Sequence, residues 1–364
     1  MENKKDILFL GLHRPKRSPS QRYRVEQFLP FLEKNGITYD YQFLLTERMD
    51  NSFYATGHYF SKAVIVFKSI LMLLKITFLE AQKYKTIFVQ REAFMLGTAY
   101  FEKQMAKRAR LVFDFDDSIW MANVSNANAR LAFLKNANKT SEIIEVAECN
   151  IVGNDFLANY ARQFSNKVYL IPTCVDTIEY ARNTPIQVKK DARVCIGWSG
   201  SQTTIEHFKL LVPILKRIKE KYKDKVYFKV VGDSSYQNEE LDIIGIKWTK
   251  EGEIMELEEL DIGVMPLPRD EWSKGKCGLK ALVYMAMEIP AVIENHGVNS
   301  EIISNGIDGF LCNNEEDWIL KLSNLIEDEL LRKQIGLQGR KIVLEKYSII
   351  ANEQKFLRLI QNEQ

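Results

Sequence analysis

Three aspartates follow an apolar run in the first half of the chain. The segment RLVFDFDDSIW (110–120) has the composition of a buried strand, and Asp114, Asp116 and Asp117 come at its end. Carboxylates grouped in this way could hold a metal ion, act as a general base or orient a hydroxyl group. The alternative is a structural role, in which they cap the helix that follows. Asp116 and Asp117 are therefore candidate catalytic residues.

A second candidate is the turn in CIGWSGSQTTIEHF (195–208), where an apolar run passes into a helical pattern. Gly200 allows a ligand to approach the backbone, and Ser201 and Thr203 offer hydroxyls. With the N–H groups of a helix N-terminus, which we expect to be free, these residues suit an anion. The segment is neither a Walker phosphate loop nor a GxGxxG dinucleotide fingerprint. A capped turn of purely structural use is the alternative.

A third candidate is the basic segment KGKCGLK (274–280), which precedes the helical stretch LKALVYMAM. Lys274, Lys276 and Lys280 surround Gly278, and three ammonium groups at a helix N-terminus suit a diphosphate because their charges add to the helix dipole. The alternative is a solvated basic loop.

A fourth candidate is the loop RSPSQRYR (17–24), which follows the first strand-like run. Arg22 and Arg24 lie in it, and arginine is suited to recognise phosphate or carboxylate groups. Here too a solvated loop is the alternative.

Strand-like and helical segments alternate along both halves of the chain. Apolar runs such as DILFLGL (6–12), KTIFVQ (85–90) and ARVCIGWSG (192–200) are separated by segments of helical periodicity. This alternation predicts βαβ units and mostly parallel sheets. The predicted fold is therefore α/β, with two doubly wound Rossmann-like domains that face a cleft and bind ligands at the carboxyl ends of their strands.

The segment 173–192 lacks both periodicities and contains a proline and a charge cluster, which is typical of a linker. The predicted organisation is a first domain over 1–175, a linker over 176–191, a second domain over 192–345 and a C-terminal helix over 346–364. The helical pattern that begins near residue 329 is predicted to be interrupted at Gly336 and Gly339.

Composition excludes several classes of protein. The 364 residues are 46% hydrophobic and 27% charged, which indicates a soluble globular chain of two domains. A formal net charge of +2 predicts no nucleic-acid partner. Five cysteines without a CxxC pair indicate neither a disulfide framework nor a zinc site, and they predict a reducing, cytoplasmic compartment. The apolar run at the N-terminus is too short for a signal peptide.

The apolar stretch AVIVFKSILMLLKITFL (63–79) is too short to span a bilayer, which needs about 20 apolar residues. Lys68 and Lys75 interrupt it and are expected to share one helical stripe with Lys62 and Gln82. One interpretation is an amphipathic helix buried on a sheet. The other is an interfacial helix, 62–83, that lies on a lipid surface at the inner face of the cytoplasmic membrane.

From Ile7 to about Tyr347 the chain resembles the family-four retaining glycosyltransferases of the GT-B fold. The most specific elements are IPTCVD (171–176) and the long 260–303 stretch. The others are SPSQRYRVEQFLPFL, VFDFDDSIW, IGWSGSQTT and VVGD.

The resemblance implies transfer of a sugar, with retention and without a metal or other cofactor, from a nucleoside-diphosphate sugar to a glycan or lipid-linked acceptor. Polysaccharide or glycoprotein-glycan biosynthesis is the implied pathway. The donor is expected in the second domain, the acceptor in the first, and the last helix is expected to pack back on the first domain. The implied donor diphosphate site comprises Gly200, Ser201, Thr203, Lys274, Lys276, Gly278 and Lys280. Trp248 and Thr249 are expected near the base, and Ser20, Arg22 and Arg24 on the acceptor side.

The chain departs from the family pattern at three places. Two glutamates that many relatives carry eight positions apart correspond to Gly275 and Val283, and the usual histidine after the fifth strand corresponds to Asp116. The usual arginine–lysine pair is missing, which leaves the three lysines of 274–280 as substitutes. A sugar-nucleotide epimerase and a catalytically silent binding subunit are therefore alternatives. The string DxDxS at 114–118 also resembles the first motif of haloacid-dehalogenase-type phosphatases, which usually place it on the first strand.

Overall fold

The computed structural model describes residues 4–121, 136–182 and 193–362, and the chain divides into two compact units. Unit 1 comprises residues 1–173 and 352–364, and unit 2 comprises residues 174–351. Most of the predicted linker, from residue 183 onwards, lies outside the described residues. The predicted α/β fold with two Rossmann-like domains is confirmed.

Among the described residues of unit 1, six parallel strands form one sheet in the order β2-β1-β3-β4-β5-β6. The strands are β1 (Lys5–His13), β2 (Tyr39–Leu45), β3 (Tyr84–Gln90), β4 (Arg110–Phe115), β5 (Cys149–Val152) and β6 (Val168–Leu170). Their central members, β3 and β4, are mostly buried, as expected for strands that are covered on both faces.

The helices of unit 1 follow the strands in βαβ order. They are α1 (Pro19–Arg24), α2 (Leu29–Lys34), α3 (Glu47–Tyr54), α4 (Tyr59–Lys75), α5 (Tyr100–Ala106), α6 (Lys139–Val146) and α7 (Asp155–Ala161). The C-terminal helix, α15 (Ile349–Gln361), also contributes to this unit: Phe356 stacks on Phe28 with ring centroids 4.3 Å apart. An aromatic contact of this kind fixes the end of the chain on the core of unit 1.

In unit 2, a five-stranded parallel sheet has the order β13-β12-β11-β7-β8 among the described residues. A short antiparallel pair, β9 with β10, accompanies it. The strands are β7 (Val194–Ser199), β8 (Val226–Val231), β9 (Gln237–Asn238), β10 (Ile243–Ile244), β11 (Ile262–Met265), β12 (Ala291–Glu294) and β13 (Phe310–Cys312). Sequence reasoning missed β9, β10 and β13 because runs of two or three residues carry no detectable period.

The helices of unit 2 cover the same sheet. They are α8 (Ile205–Lys209), α9 (Val212–Tyr222), α10 (Glu253–Glu258), α11 (Leu279–Ala286), α12 (Asn299–Ile302), α13 (Glu315–Glu327) and α14 (Glu329–Ile342). The predicted interruption at Gly336 and Gly339 is wrong, since α14 runs through both. A Cβ at Gly336 would lie 2.1 Å from the carbonyl oxygen of Glu288, so this glycine serves close packing. The helix instead ends in a π turn, Val343–Tyr347.

Helix α4 exposes an apolar face. Phe60 is 83% exposed, Phe67 60% and Leu71 51%, whereas Lys62 and Ser69 are buried. The predicted lysine stripe is therefore wrong for Lys62, which lies six positions from Lys68 and so points away from it at 100° per residue. Among the helices that the structure describes, none combines the length and the apolar character that crossing a bilayer requires.

Candidate functional sites at the strand ends

In unit 1, polar side chains gather where β1, β3 and β4 end. Asp116 and Asp117 follow β4, and Arg91 follows β3. The Arg91 guanidinium donates from Nε to Asp116 Oδ1 at 3.0 Å and from a terminal nitrogen to Asp117 Oδ2 at 3.2 Å. The two candidate catalytic carboxylates are thus brought together by an arginine.

Asp114 and Arg24 form a buried ion pair behind these residues. The Arg24 guanidinium donates to Asp114 Oδ1 at 2.5 Å and to the carbonyl of Ile171 at 2.6 Å. Arg24 is 3% exposed and Asp114 is fully buried. Arg24 therefore holds Asp114 inside unit 1, and its expected role on the acceptor side stays a prediction.

Ser20 and Arg22, the other predicted acceptor-side residues, lie on α1. The Ser20 hydroxyl donates to Asp116 Oδ1 at 2.5 Å and accepts from Gln90 Nε2 at 2.6 Å. Ser20 therefore belongs to the same cluster as Asp116, Asp117 and Arg91. Arg22 is buried, with its guanidinium 4.6 Å from the Tyr23 ring centroid. Its position beside Tyr23 neither requires nor excludes an acceptor contact, so that role stays a prediction.

The pKa values of Asp114 and Asp116 are shifted in opposite directions. Burial alone would raise the pKa of Asp116, but the charges of Arg91 and Arg24 and the Ser20 hydroxyl hold it below its ordinary value. Burial raises the pKa of Asp114 to about 6 despite the charge of Arg24. Asp116 is therefore ionised at neutral pH and can accept a hydrogen bond from a hydroxyl group.

A second polar group lies beside the end of β1. His13 Nδ1 is 3.5 Å from Asp50 Oδ1, and Arg14 and Arg17 both pair with the same aspartate at 3.2 and 2.5 Å. Burial lowers the pKa of His13 to about 4, and the charges of Arg17, Arg91 and Arg14 add to this against the opposing charge of Asp50. His13 is neutral at pH 7.

In unit 2, the turn after β7 is tightly packed, and three of its backbone N–H groups are already bonded within the protein. The N–H of Ser199 donates to Tyr284 Oη at 2.8 Å, that of Gly200 to the Val231 carbonyl at 2.9 Å, and that of Ser201 to Thr204 Oγ1 at 3.0 Å. The hydroxyls of Ser201 and Thr203, 2.9 Å apart, remain near the surface. Any anion at this turn would meet hydroxyls first.

Two glycines allow the ends of β7 and β8 to touch. A Cβ on Gly200 would lie 2.2 Å from the Trp198 ring, and a Cβ on Gly232, where φ is +135°, would lie 2.1 Å from the Gly200 carbonyl oxygen. The loop that carries Trp248 and Thr249 starts from Ile246, whose carbonyl accepts from the Gly232 N–H at 2.7 Å. The structure thus places the predicted base-side loop at the end of β8, and Thr249 Oγ1 accepts from the Gly252 N–H.

The lysines of 274–280 lie before and in the first turn of α11. Lys276 Nζ is 3.6 Å from the Trp272 ring centroid, and Lys280 Nζ is 5.5 Å from that of Trp198. Burial and the charge of Lys276 lower the pKa of Lys280 to about 8. Lys274 pairs with Glu271 at 2.7 Å, near the surface. Lys280 and Gly200 therefore both lie beside the Trp198 indole ring.

Gly278 begins α11 in the left-handed conformation, with φ of +66°. A Cβ there would lie 2.2 Å from Ile302 Cδ1. Glycine is therefore needed both for the turn and for the packing. Gly275 and Val283, the positions where the resemblance led us to expect glutamates, are both buried.

Sequence reasoning missed Arg91 and Trp198 as site residues. Arg91 follows KTIFVQ, so its place at a strand end was a usable signal, but no motif marked it. Trp198 is fully buried and looked like a core residue. Among the described residues, no group of three or more His, Cys, Asp or Glu side chains is arranged to hold a metal ion.

Residues 193–328 match the family model described as glycosyl transferases group 1. No curated protein sequence matches the chain. Sucrose-phosphate synthase from Thermosynechococcus elongatus is similar in structure, with a TM-score of 0.73 and 13% identity over 99% of both chains. A glycosyltransferase from Rickettsia africae ESF-5 gives 0.69 and 16%, over 99% of this chain and 98% of that one. Anabaena HepE in complex with UDP and glucose gives 0.63 and 15%, over 97% and 98%.

At identities this low, the structural similarity establishes the fold alone. The family match covers the part of unit 2 that contains the turn after β7 and the lysines of 274–280. The predicted resemblance is confirmed at this level: residues 193–328 match the glycosyl transferases group 1 family, and the chain has the GT-B fold.

Proposed function

We propose that the protein transfers a hexosyl or related sugar, with retention, from a nucleoside-diphosphate sugar to a glycan or lipid-linked acceptor, as in polysaccharide or glycoprotein-glycan assembly. The observation that carries the proposal is the position of Lys276 and Lys280 at the start of α11, with Lys280 and Gly200 on the same indole ring. Fixed cations and a helix N-terminus stabilise the negative charge that develops on a departing diphosphate.

The same cations make the proposed reaction independent of a metal or other cofactor. Lys276 and Lys280 take the part that a divalent cation plays elsewhere on a leaving diphosphate. Ser201 and Thr203 supply hydroxyls for the phosphate oxygens, and Trp248 and Thr249 are proposed to lie near the base. On the acceptor side, Asp116 orients a sugar hydroxyl. Chelation with EDTA is expected to leave the rate of transfer unchanged.

The donor is tested by thermal shift with UDP, GDP and their common sugars, on wild type, Lys276→Ala and Lys333→Ala. Lys333 pairs with Glu329 on α14 and serves as the matched lysine control. HepE was solved with UDP and glucose, which makes UDP and UDP-glucose the first ligands to test. A ligand at about a hundred times its Kd adds roughly 2.7 kcal/mol of stability. We expect one diphosphate to raise Tm in wild type and Lys333→Ala but not in Lys276→Ala.

The outcome also separates the alternatives. Conversion of the donor sugar without an acceptor would indicate an epimerase, and no shift with any nucleotide would favour a silent binding subunit, to which the buried Gly275 and Val283 point. With a reactive donor and acceptor, NMR of the product should show the anomeric configuration of the donor. An inverted product would contradict the retaining mechanism.

We further propose that α4 and the turn after it rest on the cytoplasmic face of a membrane, where a lipid-linked acceptor is held. The helix buries Ile65 and Leu73 and still exposes Phe60, Phe67 and Leu71, and an exposed apolar patch of this kind is typical of an interaction surface. Lys68 and Lys75 flank this face and are exposed, which suits anionic headgroups.

Co-sedimentation with vesicles of neutral and of anionic lipid tests the membrane contact. Wild type is expected to bind anionic vesicles, and the double variant Phe67→Glu and Leu71→Glu is expected to stay in solution. Leu330→Glu is the matched control, because Leu330 is an exposed leucine on α14. Equal sedimentation of all three proteins would overturn the proposal.

A further inference from the structure

We propose that Arg91 is a positioning residue: it holds Asp116 and Asp117 as a fixed pair of hydrogen-bond acceptors, so that the site takes a neutral, hydroxyl-rich group. This inference rests on the proposed function for the identity of that group as a sugar. The role of Arg91 itself can be tested without any transfer reaction.

The backbone of Arg91 is the first observation. Its φ is +63°, in the left-handed region that side chains other than glycine rarely adopt. It lies directly after β3, and its N–H donates to the carbonyl of Asp114 at 2.7 Å. Such strained residues persist where the surrounding structure fixes them, and they cluster at functional sites.

The side chain of Arg91 is the second observation. One guanidinium bridges two successive carboxylates through different nitrogens, at 3.0 and 3.2 Å. A planar guanidinium fixes direction as well as charge, which a lysine ammonium cannot do. The nearby aspartates raise the pKa of Arg91 further, so its charge is permanent.

The charges around the pair are the third observation. The charged or titratable groups that act on Asp116 and Arg91 include Asp114, Asp117, Arg24, Glu92, His13 and Tyr54. His13 is neutral at pH 7, and Glu92 pairs with Lys139 at 2.8 Å. Two guanidiniums then face three carboxylates, so the charges at the site do not sum to a surplus of positive charge. A hydroxyl group can donate a hydrogen bond to a carboxylate of this pair without adding charge.

The test compares Arg91→Met, Arg91→Gly and Arg91→Lys, with Arg110→Met as control. Arg110 pairs with Glu148 at 3.4 Å in the same sheet. Without Arg91, a poorly solvated Asp116 holds its proton more tightly in the folded than in the unfolded state. Its contribution to stability then falls as pH rises. The Tm deficit of Arg91→Met relative to wild type is therefore expected to shrink as pH is lowered from 7 to 4. Arg110→Met is expected to keep a constant deficit.

Arg91→Gly loses the same guanidinium but relieves the left-handed backbone, so we expect a higher Tm than for Arg91→Met and the same pH trend. Equal Tm values would contradict the strained backbone. Once a donor and acceptor are known, Arg91→Met should lower kcat roughly tenfold or more with donor KM unchanged, and the loss of activity in acid should begin at a higher pH. Arg91→Lys should recover part of kcat.

A constant Tm deficit for Arg91→Met across pH, or a fall in kcat no larger than that of Arg110→Met, would overturn the proposal. If wild type is inactive with every donor, the proposed transferase function fails. The Tm comparison still decides whether Arg91 sets the charge of the acidic pair.

Discussion

At the strand ends of unit 1, cations face carboxylates, whereas at those of unit 2 a cation faces an aromatic ring. Arg24 is bonded to Asp114, and Arg91 to Asp116 and Asp117. Lys280 instead lies against Trp198, and in the described part of the chain no carboxylate is within ion-pair distance of its ammonium. Both sets occupy the carboxyl edge of a parallel sheet, so the architecture alone does not decide the chemistry.

The difference teaches what each edge can bind. In unit 1 most of the charge is neutralised by ion pairs within the unit, which favours a neutral ligand over a charged one. In unit 2 the low pKa of Lys280 means that its positive charge is poorly stabilised in the protein alone. A bound anion would stabilise this ammonium group. The charge that would strengthen ligand binding therefore lowers the stability of the protein without ligand.

Among the substitutions that test the difference between the two sheet edges, we expect the largest change in the free energy of unfolding at Arg24. Arg24→Met leaves Asp114 buried without its partner, and breaking a buried pair in this way costs about 3–5 kcal/mol. Urea unfolding is the measurement. The exposed pair Arg217–Glu315 of unit 2 is the control, and Arg217→Met should cost under about 1 kcal/mol. If adding Asp114→Leu to Arg24→Met recovers no stability, the isolated carboxylate is not the cause.

A somewhat smaller effect is expected in the pH dependence of unit 1. Asp114 has a raised pKa of about 6, so its stabilising contribution is present below pH 4 and is lost as pH rises through 6. His13 has a lowered pKa of about 4, so its contribution is present above pH 6.5 and is lost as pH falls towards 4. Each amounts to roughly 2–3 kcal/mol, and the two oppose each other in wild type.

Urea unfolding of His13→Asn and Asp114→Asn between pH 4 and 6.5 measures these two contributions. Relative to wild type, His13→Asn should lose stability as pH rises, because the Asp114 contribution then acts alone. Asp114→Asn should gain stability over the same range. A variant with the same slope as wild type would show that the group it replaces titrates normally, and identical slopes for the two variants would show that neither pKa is shifted.

The same contrast explains what could be predicted from the sequence. Most strands that build both edges are apolar runs, so the position of Asp116 after a strand and of Lys276 before a helix followed from pattern alone. The partners did not. Arg24 lies 90 residues from Asp114, and Trp198 comes 82 residues before Lys280, so only the folded sheet brings each pair together. For the same reason a buried tryptophan gave no sign of a binding role.

The turn after β7 shows a subtler limit. The sequence correctly gives small residues at a strand-to-helix junction, but it cannot show that Tyr284 reaches across from α11 to take the Ser199 N–H. Free backbone donors are a property of the neighbours of a turn as much as of its own residues.

The smallest expected change in stability is at Lys280, and its sign sharpens the comparison. Lys280→Met removes an ammonium group that is disfavoured by burial and by the charge of Lys276. The variant should therefore have a higher free energy of unfolding at pH 7, by on the order of 1 kcal/mol. The effect is small because the side chain is half-buried and its charge is partly screened by water. The same variant should lose the Tm shift with a nucleoside diphosphate, because the charge that destabilises the empty protein is the charge that binds the ligand. Urea unfolding and thermal shift on one preparation measure both effects, with Lys333→Met as the control that should change neither. A variant that is less stable than wild type, or that keeps the full nucleotide shift, would show that Lys280 is a structural cation like Arg24 and that the two edges differ less than their partners suggest.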